Sequence, residues 1–273
     1  MAMRQKKGWI AGIAVIAVIA LLFVGYNLYR YPAMFRSLSD NSLNDSQVEE
    51  LREEILSQPD VDVLVSYFSY SGNTRNVAAA LSEKTGGDLF EIVPLNGYSI
   101  EMSVMTEVSD LEAVMEAASE WDFADESRIV LLGTSQGGIV SAIAAARHTD
   151  QVSGLVLMYP AFLVSDAIHE QFDSLEEVPD SYRFNWITAG RPYAEDMWDY
   201  DVYEEIGNYT DKVLLLHGSA DSIVPISYSD RAAEVYEDVD YHVIDGAGHG
   251  FSGSAFDEAV RYVFDYLQQI EII

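Results

Sequence analysis

One pentapeptide, Gly133-Thr134-Ser135-Gln136-Gly137, constrains the fold of this chain more than any other stretch. It follows the strand-like run Arg128-Ile129-Val130-Leu131-Leu132 and leads into the small, helix-forming stretch Ile139 to Arg147. A strand that passes into a helix around a single serine must make a sharp, strained turn. The flanking positions must then be glycine, because backbones approach too closely there for a side chain. Such a turn lifts the hydroxyl clear of the sheet edge. The next main-chain amide, that of Gln136, is then placed to help stabilise an oxyanion.

Two partners follow in order. Asp221 closes the run Lys212-Val213-Leu214-Leu215-Leu216-His217-Gly218-Ser219-Ala220-Asp221, a buried-type strand entering a turn. His249 lies in Gly246-Ala247-Gly248-His249-Gly250-Phe251, just after the strand Tyr241 to Ile244. Ser135, Asp221 and His249 thus each stand just past the carboxyl end of a predicted strand, the edge on which open α/β sheets build their sites. The chemistry needs all three types. A hydroxyl is a poor nucleophile until a neutral imidazole takes its proton, and a carboxylate fixes the imidazole tautomer and stabilises the imidazolium. His217 and His242 read as ordinary strand or loop histidines. Asp230 and Asp245 are rival acids, but neither follows a strand as cleanly.

Strand patterns fall near 62–68, 88–93, 128–133, 153–159, 212–217 and 240–244, with helical patterns between them near 74–85, 107–120, 137–148, 227–236 and 255–269. This alternation predicts an α/β fold: a doubly wound, mostly parallel six-stranded sheet with helices on both faces. From about Tyr98 to Leu267 the chain resembles the α/β-hydrolases, and within them the cinnamoyl/feruloyl-esterase-like serine hydrolases. The matching stretches are Met102 to Leu111, Gly133 to Gly138, Leu157-Met158-Tyr159-Pro160-Ala161, His217 to Pro225 and Gly248-His249-Gly250-Phe251. The resemblance implies hydrolysis of a small-molecule ester through an acyl-enzyme.

The chain departs from that family ahead of residue 98. The first two hydrolase strands and the His-Gly oxyanion loop are not recognisable. In their place Val63-Leu64-Val65-Ser66-Tyr67-Phe68-Ser69-Tyr70-Ser71-Gly72-Asn73-Thr74 resembles the first strand and phosphate loop of a flavodoxin, continuing through Gly86 to Pro94. Ser69, Ser71, Gly72, Asn73 and Thr74 form the phosphate-loop-like segment, whose hydroxyls and amides would converge at a helix N-terminus. Joining the halves predicts a hydrolase without its first two strands, in the flavodoxin-like order. The phosphate loop would then lie beside the serine turn, and a backbone amide of the Phe68 to Ser71 loop, from Phe68 or Ser69, would be the second oxyanion donor. A phosphate-shaped loop in that place predicts weak esterase activity. FMN is the cofactor of the rival electron-carrier reading. It is not favoured, because the serine turn and Tyr159-Pro160-Ala161 occupy the positions of the flavin-ring loops. The hydrolase chemistry calls for no cofactor and no metal. A third reading is an inactive recombinant of the two sites.

Composition excludes other classes. Forty-five acidic against 15 basic residues give a formal net charge of −30, a field that repels phosphate backbones and argues against nucleic-acid binding. There are no cysteines, hence no disulfides and no thiol catalysis. Arg4, Lys6 and Lys7 precede the uncharged apolar run from Trp9 to Val24, which continues to about Tyr29. That is close to the roughly 20 residues that span a bilayer. The run is expected to be an uncleaved transmembrane helix, with the domain outside the cytoplasm by the positive-inside rule; a cleaved signal peptide is the rival reading, disfavoured by the lack of a convincing small-x-small cleavage site. The expected organisation is a membrane anchor over 1–36, a polar helical connector over 37–60 and a single catalytic domain over 61–273. Within that domain 61–97 is flavodoxin-like and 98–273 hydrolase-like. A cap insertion over 162–207 is rich in aromatics, which would line an apolar acyl pocket or simply pack the cap on the sheet.

Overall fold

The computed structural model describes residues 14–21, 63–69, 73–85, 87–91, 100–119, 128–184 and 187–273. In chain order the elements that matter are β1 (Ala14–Leu21), β2 (Val63–Ser69), α1 (Asn73–Thr85), β3 (Asp88–Glu91), α2 (Val104–Ser119), β4 (Ile129–Ser135) and α3 (Gln136–Arg147). There follow β5 (Val152–Met158), α4 (Val164–His169), β6 (Ser181–Phe184), β7 (Ile187–Gly190), α5 (Arg191–Met197) and α6 (Val202–Ile206). The chain closes with β8 (Val213–Gly218), α7 (Ser227–Val235), β9 (Val239–Ile244) and α8 (Ser254–Gln269).

Four parallel strands, in the order β4-β5-β8-β9, carry the site. The near-continuous apolar runs of β4, β5 and β8 follow from burial on both faces, while β9, at the edge, is only partly buried. Along β4, Ile129 and Leu131 join one core while Val130 and Leu132 join the other. β5 and β8 divide the same way: Leu155, Leu157, Val213 and Leu215 face one cluster, and Val156, Met158, Leu214 and Leu216 the other. This is the two-residue period of a strand read against helices above and below. α2, α3 and the cap supply the first core, α1 and α8 the second. Each fully buried Leu, Ile or Val contributes about 1.5–3 kcal/mol.

The sheet continues past β4 through β1, β2 and β3 to seven strands. Of the apolar run over 9–29 that is expected to span a membrane, residues 14–21 are described. Ala14–Leu21 is a parallel strand between β2 and β4, with Ala20 opposite Ser69 and Leu21 opposite Ser135. A short run of Ala, Val, Ile and Leu suits a buried parallel strand and part of an apolar helix alike, and periodicity does not separate them. Residues 9–13 and 22–29 lie outside the described residues, among which no helix is long and apolar enough to cross a membrane. The expected six-stranded order also changes. β2 lies one strand away from β4, so Phe68 and Ser69, at the end of β2, are not next to the serine turn. Ser71 and Gly72 lie outside the described residues, and Asn73 and Thr74 open α1.

The insertion after β5 folds as α4, the antiparallel β6-β7 hairpin, α5 and α6. Its Tyr182, Phe184, Tyr193 and Tyr203 are buried, and Phe172, Trp198 and Tyr200 pack against the same core. Most of the cap aromatics therefore hold the cap on the sheet. Trp186 lies outside the described residues.

Candidate active site

The serine turn has the geometry its sequence demands. Ser135 closes β4 with φ 52° and ψ −121°, and Gln136 is the first residue of α3. A positive φ is costly for any residue but glycine. Here it is held by an almost absolute fit, since a Cβ on Gly133 would lie 2.1 Å from the Gly137 carbonyl oxygen. The Ser135 carbonyl is tied by the Ala161 amide at 2.8 Å. The first amides of a helix have no acceptor within it, so the Gln136 N–H points outward from the positive end of α3.

Three loops at the carboxyl edge bring the expected residues together. Ser135 Oγ lies 2.9 Å from His249 Nε2, and His249 Nδ1 lies 2.8 Å from Asp221 Oδ2. A carboxylate only accepts, so Nδ1 carries the hydrogen and Nε2 is left to accept from the serine hydroxyl. Asp221 is anchored on its other oxygen, Oδ1, by the amides of Ile223 at 2.8 Å and Val224 at 3.0 Å. Burial alone would raise its pKa. Hydrogen bonds from His217 and His249, the His249 charge and the Val224 amide outweigh burial and hold it well below the ordinary carboxylate range. The Asp221 side chain is fully buried and that of His249 is 2% exposed. Rival acids are engaged elsewhere: Asp245 accepts from the Ser219 hydroxyl and Asp230 from the Tyr241 hydroxyl. A polar cavity of about 260 Å³ opens beside the histidine, lined by the 245–255 loop.

Three supporting residues were not recognised from the sequence as parts of the site. His217 is fully buried, with Nε2 3.0 Å from the Val224 carbonyl and 3.4 Å from Asp221 Oδ2, and Nδ1 2.7 Å from Ser229 Oγ. A carbonyl only accepts, so Nε2 carries hydrogen and the imidazole braces both Asp221 and the loop that holds it. Tyr159 follows β5 with φ 41°, a rare conformation for an aromatic residue. Its ring packs against His249, centroids 4.7 Å apart, and edge-on against Phe251 at 4.8 Å. Glu107, on α2, is buried and accepts from the Gln136 side-chain amide at 2.8 Å. Burial is the main cause that pushes its pKa up to about 8. Sequence reading reached Glu107 only as part of a matching stretch. Nothing in the sequence distinguishes a buried glutamate on this helix from an exposed one.

Fold and sheet-edge site together define a protein of the α/β-hydrolase superfamily. The family model of the prolyl oligopeptidase family matches residues 104–270, and the chain belongs to that family. It is 26% identical over 215 residues to prolyl endopeptidase FAP of Bos taurus, a match covering 75% of this chain and 26% of that protein. It is 29% identical over 160 residues to an uncharacterized protein of Mycobacterium tuberculosis, covering 55% of this chain and 51% of the relative. The matches thus span between a quarter and about half of these relatives' length. Among solved structures, Est1E from Butyrivibrio proteoclasticus superimposes with a TM-score of 0.67 at 17% identity, over 98% of this chain and 91% of Est1E. A second structure of Est1E, with ferulic acid bound, gives a TM-score of 0.66 at 18% identity, over 99% of this chain and 94% of that one. At such identities the likeness is one of fold. The hydrolase resemblance read from the motifs therefore holds at the level of the superfamily. The matching family is a peptidase one, and Est1E stands among its structural neighbours.

Proposed function

We propose that this chain is a serine hydrolase that cleaves small carboxylic esters through an acyl-enzyme. The observation that carries the proposal is the continuous hydrogen-bonded path from Ser135 Oγ through His249 to Asp221, with steps of 2.9 and 2.8 Å. Ser135 Oγ attacks the ester carbonyl while its proton passes to His249 Nε2. The carbonyl oxygen becomes an oxyanion facing the Gln136 amide. The tetrahedral intermediate then collapses, the C–O bond to the alcohol breaks, and Nε2 returns the proton to the leaving alkoxide. Water repeats the sequence on the acyl-enzyme and releases the acid. Asp221, buried and held ionised, stabilises the imidazolium in both halves.

Esters are preferred as substrates because Est1E, which shares the fold, was solved with ferulic acid bound. Family membership and the prolyl endopeptidase relative favour a second reading, in which the same residues cleave a peptide bond. A panel of aryl acetate, aryl cinnamate-type esters and an Xaa-Pro anilide separates the two. Ester turnover at least about 100-fold above anilide turnover supports the esterase, and the reverse ratio supports the peptidase. An FMN titration that produces no stoichiometric fluorescence quenching removes the electron-carrier reading.

Localisation is a separate proposal. Arg4, Lys6 and Lys7 ahead of an apolar run of about 20 residues favour a single-pass membrane protein with its domain outside the cytoplasm. Ala14–Leu21 cannot serve that span and β1 at once. A chain beginning at Ser37 decides between them. Soluble, fully active protein assigns the run to a membrane, and loss of folded protein assigns it to the sheet.

A further inference from the structure

Glu107 is a buried carboxyl with no part in the proton path just described, and the polar groups around it form a chain. Its Oε2 accepts from Gln136 Nε2 at 2.8 Å, and Gln136 Oε1 accepts from the Tyr193 hydroxyl at 2.8 Å. All three side chains are buried: Glu107 is 5% exposed, Gln136 and Tyr193 each 1%. The three come from separate parts of the molecule, α2, the first turn of α3 and α5 of the cap. Removing a carboxylate, a primary amide and a phenol from water is costly unless each is hydrogen-bonded. Among the described residues Glu107 Oε1 still has no partner. Core packing alone would be served better by apolar residues. The expense falls on one residue in particular. Gln136 directly follows Ser135, and its main-chain N–H is the donor assigned to the oxyanion.

We propose that Glu107 and Tyr193 clamp the Gln136 side chain from opposite sides, so that its backbone amide is held in register for the oxyanion and the cap is tied to the acylation step. The inference rests on the serine-hydrolase reading. The clamp acts on rate rather than on substrate affinity, because the donor is needed where charge develops, not where the ground-state carbonyl sits. Loss of an oxyanion donor costs about 10²–10³ in kcat, and a displaced one costs less. Glu107 and Tyr193 are therefore positioning residues, and they act as a unit.

The test compares the full-length protein with Glu107→Ala, Tyr193→Phe, the double variant and Glu107→Gln. Turnover of an aryl ester is measured per active site titrated with a fluorophosphonate, which normalises for any misfolded fraction. The expected result is a fall in kcat of about 10- to 100-fold for each single variant, with KM within about 2-fold of wild type. The double variant should lose little more than the worse single one, since groups acting as a unit are not additive. Glu107→Gln keeps the shape and an acceptor for Gln136, and should recover kcat to within about 3-fold of wild type. Wild-type kcat per titrated site in both single variants overturns the clamp, as does a loss confined to KM. If Glu107→Ala yields no folded protein, Tyr193→Phe, which removes only an oxygen, decides alone. A wild-type protein that neither labels nor turns over would instead overturn the hydrolase reading itself.

Discussion

The imidazole of His249 lies against the phenol ring of Tyr159, centroids 4.7 Å apart and planes tilted by 59°. Tyr159 reaches that position only by adopting φ 41° at the end of β5, next to Ser135, which holds φ 52° at the end of β4. Two strained residues on adjacent strand ends thus face the same histidine. Strain of this kind costs about 1–3 kcal/mol and persists where the surroundings impose it. We predict that Tyr159→Phe keeps the ring and most of the activity. Tyr159→Ala should lower kcat by about 10-fold or more, with a stability loss of about 3–5 kcal/mol from the cavity, since alanine bears the same strain at a positive φ. Stopped-flow turnover and urea denaturation measure the two effects. Equal losses in both variants would place the role in the hydroxyl instead.

Asp221→Asn should reduce kcat by about 10⁴, because an amide at that position favours the wrong tautomer of His249. The fold should survive, since the amides of Ile223 and Val224 can still bond the remaining oxygen. Circular dichroism with ester turnover checks both halves of the statement. A loss below about 10-fold would mean that another acid orients the histidine.

Gly218→Ala should damage the site through the backbone. A Cβ there would sit 2.2 Å from the Ala247 carbonyl oxygen, where the loop carrying Asp221 meets the loop carrying His249. Overpacking of this kind costs about 1–3 kcal/mol. The outcome expected is a lowered Tm together with slower fluorophosphonate labelling. Unchanged labelling would show that the two loops adjust independently.

Stability should depend on pH with two opposite slopes. The Glu107 carboxyl, faced by Gln136, Tyr193 and Asp110, moves from an ordinary 4.5 up to about 8. Between those values the folded protein holds a proton that the unfolded chain has released. Stability from this group is complete below about pH 4.5 and is lost as pH rises toward 8, at up to about 1.4 kcal/mol per unit. Asp221 has the reverse sign: its lowered pKa gives stability above the ordinary carboxylate range that is lost as pH falls below it. Thermal melts from pH 3 to 9 should show the alkaline slope in wild type and a flatter one in Glu107→Gln. An unchanged alkaline slope in that variant would assign it to other groups.

The sheet and its edge were legible in the sequence where local rules are strong. Val213 to Leu216, a short apolar run closed by the turn residues Gly218 and Asp221, reads as a strand buried on both faces, and Gly133 and Gly137 around Ser135 favour one kind of turn. The placing of Ser135, Asp221 and His249 at or just past the ends of β4, β8 and β9 follows from that pattern. Less was legible wherever two environments ask for the same residues. Ala14 to Leu21 satisfies a bilayer and a sheet interior alike, and its placement decides whether β2 adjoins the serine turn. The Glu107–Gln136–Tyr193 chain was illegible for a different reason. It links residues 29 and 57 positions apart, and no local pattern marks a polar residue that tertiary packing will bury. His217 was likewise indistinguishable from an ordinary strand histidine until Ser229 and Val224 were seen around it.

The proposed hydrolase works through a covalent acyl intermediate on Ser135, with His249 as its base. Intact-protein mass spectrometry after brief mixing with a slow aryl ester, followed by peptide mapping, tests it most directly. The expected result is an acyl adduct on Ser135 that appears with a burst of phenol, decays with turnover, and is absent from Ser135→Ala, while His249→Ala forms it slower by several orders of magnitude. Hydrolysis at the wild-type rate by Ser135→Ala, or an adduct mapped to any other residue, would contradict it.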